Sequence, residues 1–168
     1  MQRRRCFNGT VAATRGTTWL SRAGVTFAVH TYDYGSAPVG SSTATYAAEA
    51  LSIPTERFAK TLVAEADGDP VFVLMPGHRE VSLRKLARAA GAKHAELADP
   101  RDAERLTGYQ VGGIGPFGSR RALPVYLDAS LLDHDRIALN GGQRGVILEV
   151  ASADVVRLLV AVPADLGA

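Results

Sequence analysis

The sequence predicts a single α/β (α+β) domain in which a mixed β-sheet is flanked by helices. Two observations carry that prediction. The chain has 168 residues, 46% of them hydrophobic and 21% charged, which fits one compact globular unit able to bury a core without disulfides. Segments of period-two alternation and segments of helical period follow one another irregularly, with no internal repeat or low-complexity linker between them.

The elements read as follows. Thr17 or Thr18 caps a short helix carrying Trp19, Leu20 and Ala23, and Gly24 ends it. Val25, Phe27 and Val29 alternate with smaller or polar residues in a half-buried strand that reaches Tyr32. Gly35 to Ser42 is a loop, and Thr43 to Leu51 a helix with Tyr46, Ala47, Ala50 and Leu51 on one side. Phe58–Glu65 and Val71–Met75 are strands joined by the Asp67-Gly68-Asp69 turn. Ser82 caps a helix bearing Leu83, Leu86, Ala87 and Ala90, stopped by Gly91. Asp99-Pro100 opens another helix, with Gly108 beyond its end. A glycine-rich loop at 112–118 precedes strands at 124–128 and around 136–140. A second loop, Asn140 to Gly145, leads into a strand at Val146–Val150, and Ser152 caps a final helix.

Nineteen Lys and Arg against seventeen Asp and Glu give a net charge of +2, without the basic excess of a strong nucleic-acid binder. The basic residues are clustered at Arg3–Arg5, at Arg79, Arg84, Lys85 and Arg88, and at Arg120–Arg121. Such clusters are read either as solvated faces or as a weak RNA contact. The single cysteine, Cys6, excludes an internal disulfide, and no spacing of Cys and His marks a metal site. Residues 1–16 are basic and lack an apolar core, so they are read as a disordered arm rather than a secretory signal, with the folded domain at 17–168. No apolar run is long enough to span a bilayer, and a cytoplasmic location is expected.

Three stretches could carry chemistry. In Phe58-Ala59-Lys60-Thr61-Leu62-Val63-Ala64, alternation puts Lys60 on the face of Phe58, Leu62 and Ala64; such a lysine either snorkels out or serves a cleft that binds a polar oxygen. Gly112-Gly113-Ile114-Gly115-Pro116-Phe117-Gly118 frees backbone N–H groups that can hold an oxyanion or a phosphate oxygen, or it is merely a tight connection. It has neither the Rossmann nor the P-loop pattern. Asn140-Gly141-Gly142-Gln143-Arg144-Gly145 opens as a hairpin turn, with Arg144 able to reach a phosphate. His30, His78, His94 and His134 are scattered, and no nucleophile–base pair stands out.

Taken together, the Phe58-Ala59-Lys60-Thr61-Leu62 strand, Gly91-Ala92-Lys93, Ala98-Asp99-Pro100, Leu106-Thr107-Gly108-Tyr109, Gly112-Gly113-Ile114-x-Pro116-x-Gly118, Leu123-Pro124 and Gly141-Gly142-x-Arg144-Gly145 resemble the YbaK/EbsC family of aminoacyl-tRNA editing proteins from about Trp19 to Asp165. The resemblance implies a partly barrel-like sheet and deacylation, in trans, of a mischarged tRNA, with Cys-tRNA(Pro) or Ala-tRNA(Pro) as expected substrates. The chemistry would be ester hydrolysis, or thiol-assisted release where the acyl group is cysteinyl. No cofactor or metal is implied, no DNA or membrane partner is expected, and a synthetase is the candidate protein partner.

The resemblance assigns function to Lys60 and to the Gly112–Pro116 motif. Gly112 and Gly113 are expected to supply oxyanion N–H groups, and Tyr32, Thr61, Pro116, Asn140, Gly141, Gly142 and Arg144 to bind substrate. The chain departs from the family pattern at Gly115, where a serine is common, at Arg120-Arg121, where lysines are usual, and at Asn140. It also has Ile147 where cysteine-specific members carry an aspartate. These departures motivate a second reading, a binding module for the tRNA 3′ end that lacks turnover.

Overall fold

The structure, a computed structural model, describes residues 13–168. Helices α1 (Arg15–Ala23), α2 (Thr43–Ala50), α3 (Leu83–Ala89), α4 (Pro100–Thr107) and α5 (Ser152–Leu159) surround eight strands. These are β1 (Phe27–Thr31), β2 (Ala59–Ala66), β3 (Asp69–Pro76), β4 (Ala95–Leu97), β5 (Val125–Asp128), β6 (Arg136–Asn140), β7 (Val146–Ala151) and β8 (Val162–Ala164). They form a five-stranded mixed sheet, β4-β2-β3-β5-β8, and a three-stranded antiparallel sheet, β1-β7-β6. A single bridge between Phe58 and Ala138 joins the two sheets among the described residues.

The main core lies between the sheets. Phe72, Leu74 and Leu127 from the larger sheet pack with Ile137, Leu139, Leu148 and Val150 from the smaller, closed by Leu20, Phe117 and Val155. A second cluster sits on the outer face of β2 and β3, where Val71, Val73 and Met75 meet Leu86 of α3. A third, of Ala47, Ala48, Ile53, Phe58, Ala138 and Ile147, packs α2 against the smaller sheet.

Several local expectations need correction. α1 begins at Arg15, capped by Thr14, whose side chain accepts from the Thr17 N–H while Thr17 accepts from the Thr14 N–H. That reciprocal cap outcompetes a start at Thr17 or Thr18. The boundary at 16/17 therefore falls inside a helix, and the arm expected before it, with Cys6 and Arg3–Arg5, lies outside the described residues up to position 12. On α2 the inward stripe is Ala44, Ala47, Ala48 and Leu51, with Ala50 exposed. Ser152 is the first residue of α5 rather than its cap, and its hydroxyl donates to the His134 carbonyl at 2.6 Å. β4 and β8, three residues each, were not expected from the sequence.

Segment 107–118 is pinned where it crosses the β6–β7 connection and the start of α1. Trp19 of α1 packs on Phe117 with centroids 5.3 Å apart. The Tyr109 hydroxyl donates to the Phe117 carbonyl at 2.6 Å. Backbones meet directly at four glycines: a Cβ on Gly16 would lie 2.5 Å from the Gly141 oxygen, one on Gly113 2.8 Å from the Arg144 nitrogen and one on Gly118 2.7 Å from the Arg15 oxygen, and one on Gly115 would collide with the Asn140 carbonyl oxygen. The glycine at 115 is thus a packing requirement of this chain. Gly115→Ser should destabilise the fold by about 1–3 kcal/mol, read as a lowered midpoint in urea without a change of slope.

Tyr109 has only 4% of its surface exposed. Burial pushes its phenol up to about 12, the nearby Arg15 opposing weakly. The folded state therefore holds this proton more tightly than the unfolded chain. The contribution is complete below the ordinary value of 10 and is lost as pH climbs from there toward 12. Tyr109→Phe should cost about 1–3 kcal/mol at neutral pH by stranding the Phe117 carbonyl. The stability gap between wild type and variant should narrow at alkaline pH, measured by denaturant unfolding at a series of pH values.

Candidate active site

A cleft of about 310 Å³ opens where the two sheets diverge. Its floor is the edge of β2, residues Phe58–Val63. β4 pairs with β2 only at Ala64–Ala66, so the preceding residues keep a free edge toward the cleft. α2 supplies Ala44 and Ala47, the start of α4 supplies Pro100 and Ala103, and Val111, Gly112 and Ile114 form an opposite lip. Tyr32, Asn140 and Ile147 close the end contributed by the smaller sheet. The alanine stripe of α2 leaves this space open, because larger side chains at Ala44 and Ala47 would fill it.

The polar groups in this apolar cleft are few. Lys60 has a side chain 16% exposed, and its Nζ lies 3.3 Å from Oε1 of the exposed Glu80. It belongs to the β2 face of Leu62 and Ala64 and stands opposite Met75, so its stem crosses apolar surface before the ammonium emerges. Thr61 Oγ1 and Tyr32 Oη are buried and have no hydrogen-bond partner among the described residues. A buried hydroxyl without a partner costs about 1–3 kcal/mol, and two such groups belong to residues that line this one cleft. Burial and the neighbouring phenol of Tyr34 raise Tyr32 above its ordinary value, so it remains a protonated donor through the physiological range.

The glycine lip divides into two parts. No oxygen among the described residues accepts the N–H of Gly112 or of Ile114, and both residues line the cleft. Gly113 is buried, and its N–H donates to the Gln110 carbonyl at 2.8 Å. The expected pair of free donors is corrected accordingly: Gly113 has already spent its N–H, whereas the N–H groups of Gly112 and Ile114 have no acceptor among the described residues.

Asn140 lines the cleft and also braces it. Its Nδ2 donates to the Gly112 carbonyl at 3.1 Å, and its Oδ1 accepts from the Gly142 N–H at 2.8 Å. Gly141 and Gly142 belong to this bracing loop and Pro116 is buried beneath it; none of the three lines the cleft. Arg144 is exposed just outside, its Nε donating to the Val111 carbonyl at 2.9 Å and its guanidinium 4.9 Å from the Tyr34 ring centroid. The structure thus brings Lys60, Thr61, Tyr32, Gly112 and Asn140 together, and holds Gly113, Pro116, Gly141, Gly142 and Arg144 in the frame around them.

The residues the sequence reading passed over are Ala44, Ala47, Ile114 and Phe58 as apolar lining. The i, i+3 spacing of small residues in α2 was the available signal. Among the described residues no three His, Cys, Asp or Glu side chains cluster as metal ligands would. None of the described helices is long and apolar enough to cross a membrane.

Residues 39–158 match the family model described as the aminoacyl-tRNA editing domain. Over 112 residues the chain is 37% identical to EbsC of Enterococcus faecalis, a proposed Cys-tRNA(Pro)/Cys-tRNA(Cys) deacylase, covering 66% of this chain and 68% of that protein. It is 41% identical over 81 residues to the proline–tRNA ligase of Nitratidesulfovibrio vulgaris, which is 48% of this chain but only 14% of the ligase. Among solved structures, a proposed trans-editing enzyme for prolyl-tRNA synthetase superposes with a TM-score of 0.79 at 27% identity, covering 92% of this chain and 95% of that one. Sequence and fold agree, and the chain belongs to the aminoacyl-tRNA editing domain family of YbaK/EbsC type.

Proposed function

We propose that this protein deacylates a mischarged tRNA in trans, and that the acyl group it removes carries a small apolar side chain. The observation that carries this reading is the cleft itself. It combines a single cation, unpaired N–H groups on a glycine lip and two unpartnered hydroxyls, with no side-chain nucleophile beside a base.

That composition suits an aminoacyl ester, which is already activated and needs orientation and charge stabilisation more than a strong nucleophile. In the proposed reaction a water oxygen attacks the ester carbonyl, and its proton passes through the neighbouring hydroxyl of the terminal ribose. The N–H groups of Gly112 and Ile114 hold the developing oxyanion. The carbon–oxygen bond to the ribose then breaks, and the ribose oxygen takes up a proton. Lys60 exchanges Glu80 for an oxygen of the substrate's ribose or carbonyl, and Thr61 and Tyr32 offer hydroxyls to the amino-acid end.

Ile147 is 1% exposed and forms an apolar wall of the cleft with Ala47 and Phe58. With isoleucine in place of an acidic residue, this wall favours a methyl group over a polar or thiol side chain, so alanyl-tRNA(Pro) is preferred over cysteinyl-tRNA(Pro). Such a wall discriminates by size at about 1–3 kcal/mol per methylene.

Release of amino acid from a panel of mischarged tRNAs tests the reading. The wild type should release alanine well above the spontaneous rate, and Lys60→Ala should lower kcat/KM about 100-fold with unfolding unchanged. A wild type with no release above background on any member would overturn the deacylase assignment and leave a binding module. Trimming the wall with Ile147→Val should cost only about 0.5–1.5 kcal/mol in stability. It should also reduce the preference for alanyl over 2-aminobutyryl esters about tenfold in competing kcat/KM measurements.

A further inference from the structure

Next to the cleft lies a group of cations that the proposed chemistry does not use. Arg15 opens α1, Arg120 and Arg121 follow the glycine lip, and Arg144 comes from the β6–β7 connection; all four are exposed. The fold gathers them around 106–111. The Arg15 guanidinium lies 5.8 Å from the centre of the Tyr109 ring. A Cβ built on Gly108 would be 2.5 Å from Arg15 Nη1 and 3.4 Å from Arg120 Nε. The N–H groups of Arg120 and Arg121 donate to the carbonyls of Thr107 and Leu106, which sews this pair onto the end of α4. Arg144 is bonded to Val111, itself a lining residue of the cleft. The cationic surface therefore begins at the cleft mouth.

Charge pairing separates these arginines from the structural ones. Arg57, Arg79, Arg105, Arg136 and Arg157 each face a carboxylate, whereas none of the four pairs with an acid among the described residues; Arg22, Arg84, Arg88 and Arg101 are unpaired there too, so it is the gathering of four such arginines at the cleft mouth that sets this group apart. Residues 1–12 contain no Asp or Glu to pair with them. Of the acids on neighbouring segments, Asp102 is engaged by Arg105, Glu104 accepts the Val111 N–H, and Asp33 accepts from Gly35 and Ser36. The carbonyl end of α4 accounts in part for Arg120, whose Nη1 lies 3.4 Å from the Arg105 oxygen. It does not account for Arg15, Arg121 or Arg144.

We propose that Arg15, Arg120, Arg121 and Arg144 form a phosphate-binding surface that receives the RNA backbone leading to the aminoacyl end held in the cleft. This rests on the deacylase reading. A guanidinium fork matches a phosphate in two directions, and an RNA strand presents one phosphate per nucleotide along such a surface. Each phosphate neutralised releases counterions, so binding here must weaken with salt by about 0.7–0.9 in log Kd per decade for every contact.

The experiment measures binding of a non-acylated RNA hairpin with a single-stranded 3′ CCA end, by fluorescence anisotropy over a range of KCl concentrations. Wild type is compared with Arg120→Gln/Arg121→Gln and with Arg120→Lys/Arg121→Lys. The glutamine pair should bind about tenfold or more weakly at low salt and lose about 1.4–1.8 from the salt slope, whereas the lysine pair should keep the slope. In deacylation the glutamine pair should raise KM for tRNA and preserve kcat. An aminoacyl-adenosine, which has no phosphate, should be released at the wild-type rate.

Unchanged affinity and slope in the glutamine pair would overturn this surface while leaving the deacylase reading intact. So would a wild type that cleaves the aminoacyl-adenosine yet does not bind the hairpin, or an equal loss on the phosphate-free ester. Failure of the deacylase reading looks different, because the wild type then releases nothing from either substrate.

Discussion

The cleft depends on one crossing, where segment 107–118 passes over the β6–β7 connection with almost no side chain between the two backbones. Gly115 against Asn140 and Gly113 against the backbone of Gln143 and Arg144 permit the approach. The two bonds of the Asn140 amide, to the Gly112 carbonyl and from the Gly142 N–H, then set its register. Since Asn140 lies opposite Ile147 in the β6–β7 ladder, the position of the Gly112 lip is tied to the strand that supplies the apolar wall of the acyl pocket. The donors proposed for an oxyanion and the surface proposed to measure the side chain are thereby tied to one frame. Such placement before substrate arrives is what electrostatic stabilisation requires.

The same frame explains how the cleft tolerates unsatisfied groups. Each buried hydroxyl without a partner at Tyr32 and Thr61 costs on the order of 1–3 kcal/mol, comparable to a sizeable fraction of net stability. The cost is offset by the fully apolar core between the sheets and by the close packing around Trp19, Phe117 and Tyr109. Lys60 is treated differently, since its ammonium reaches Glu80 at the surface rather than remaining unpaired. An exposed pair of this kind is worth at most about 1 kcal/mol, so exchanging Glu80 for a substrate oxygen is inexpensive.

What was legible in the sequence was mostly local. Alternation located β2 and β3, caps located α3 and α4, and the motifs led to Lys60 and the 112–118 lip. What was not legible depended on partners distant in the chain. β4 and β8 are three residues long and carry exposed apolar residues such as Leu97 and Val162. They are strands only because β2 and β5 offer them edges. Gly113 could not be told from Gly112 by composition, since the difference is whether Gln110 takes its N–H. Asn140 reads as a turn residue and does begin one, but its amide also holds the lip 28 residues away. That Thr61 and Tyr32, with their buried hydroxyls, line one cavity has no sequence signal, because the two residues come from different sheets.

The size of the cleft limits what it can recognise. A pocket that discriminates by methylenes at about 1–3 kcal/mol each can tell alanine from larger residues, yet the correctly charged alanyl-tRNA carries the same acyl group. Selectivity for the wrong pairing must therefore come from the RNA, outside the cleft. A net charge of +2 spread evenly would provide no such contact. Four arginines without acidic partners, concentrated beside the lip, would provide one, and phosphate contacts fix register and orientation rather than base sequence. On the proposed arrangement the arginines would position the 3′ end of the RNA and the Ile147 wall would measure the acyl group, while discrimination among tRNAs by base identity would have to be supplied by a partner that reads the rest of the molecule.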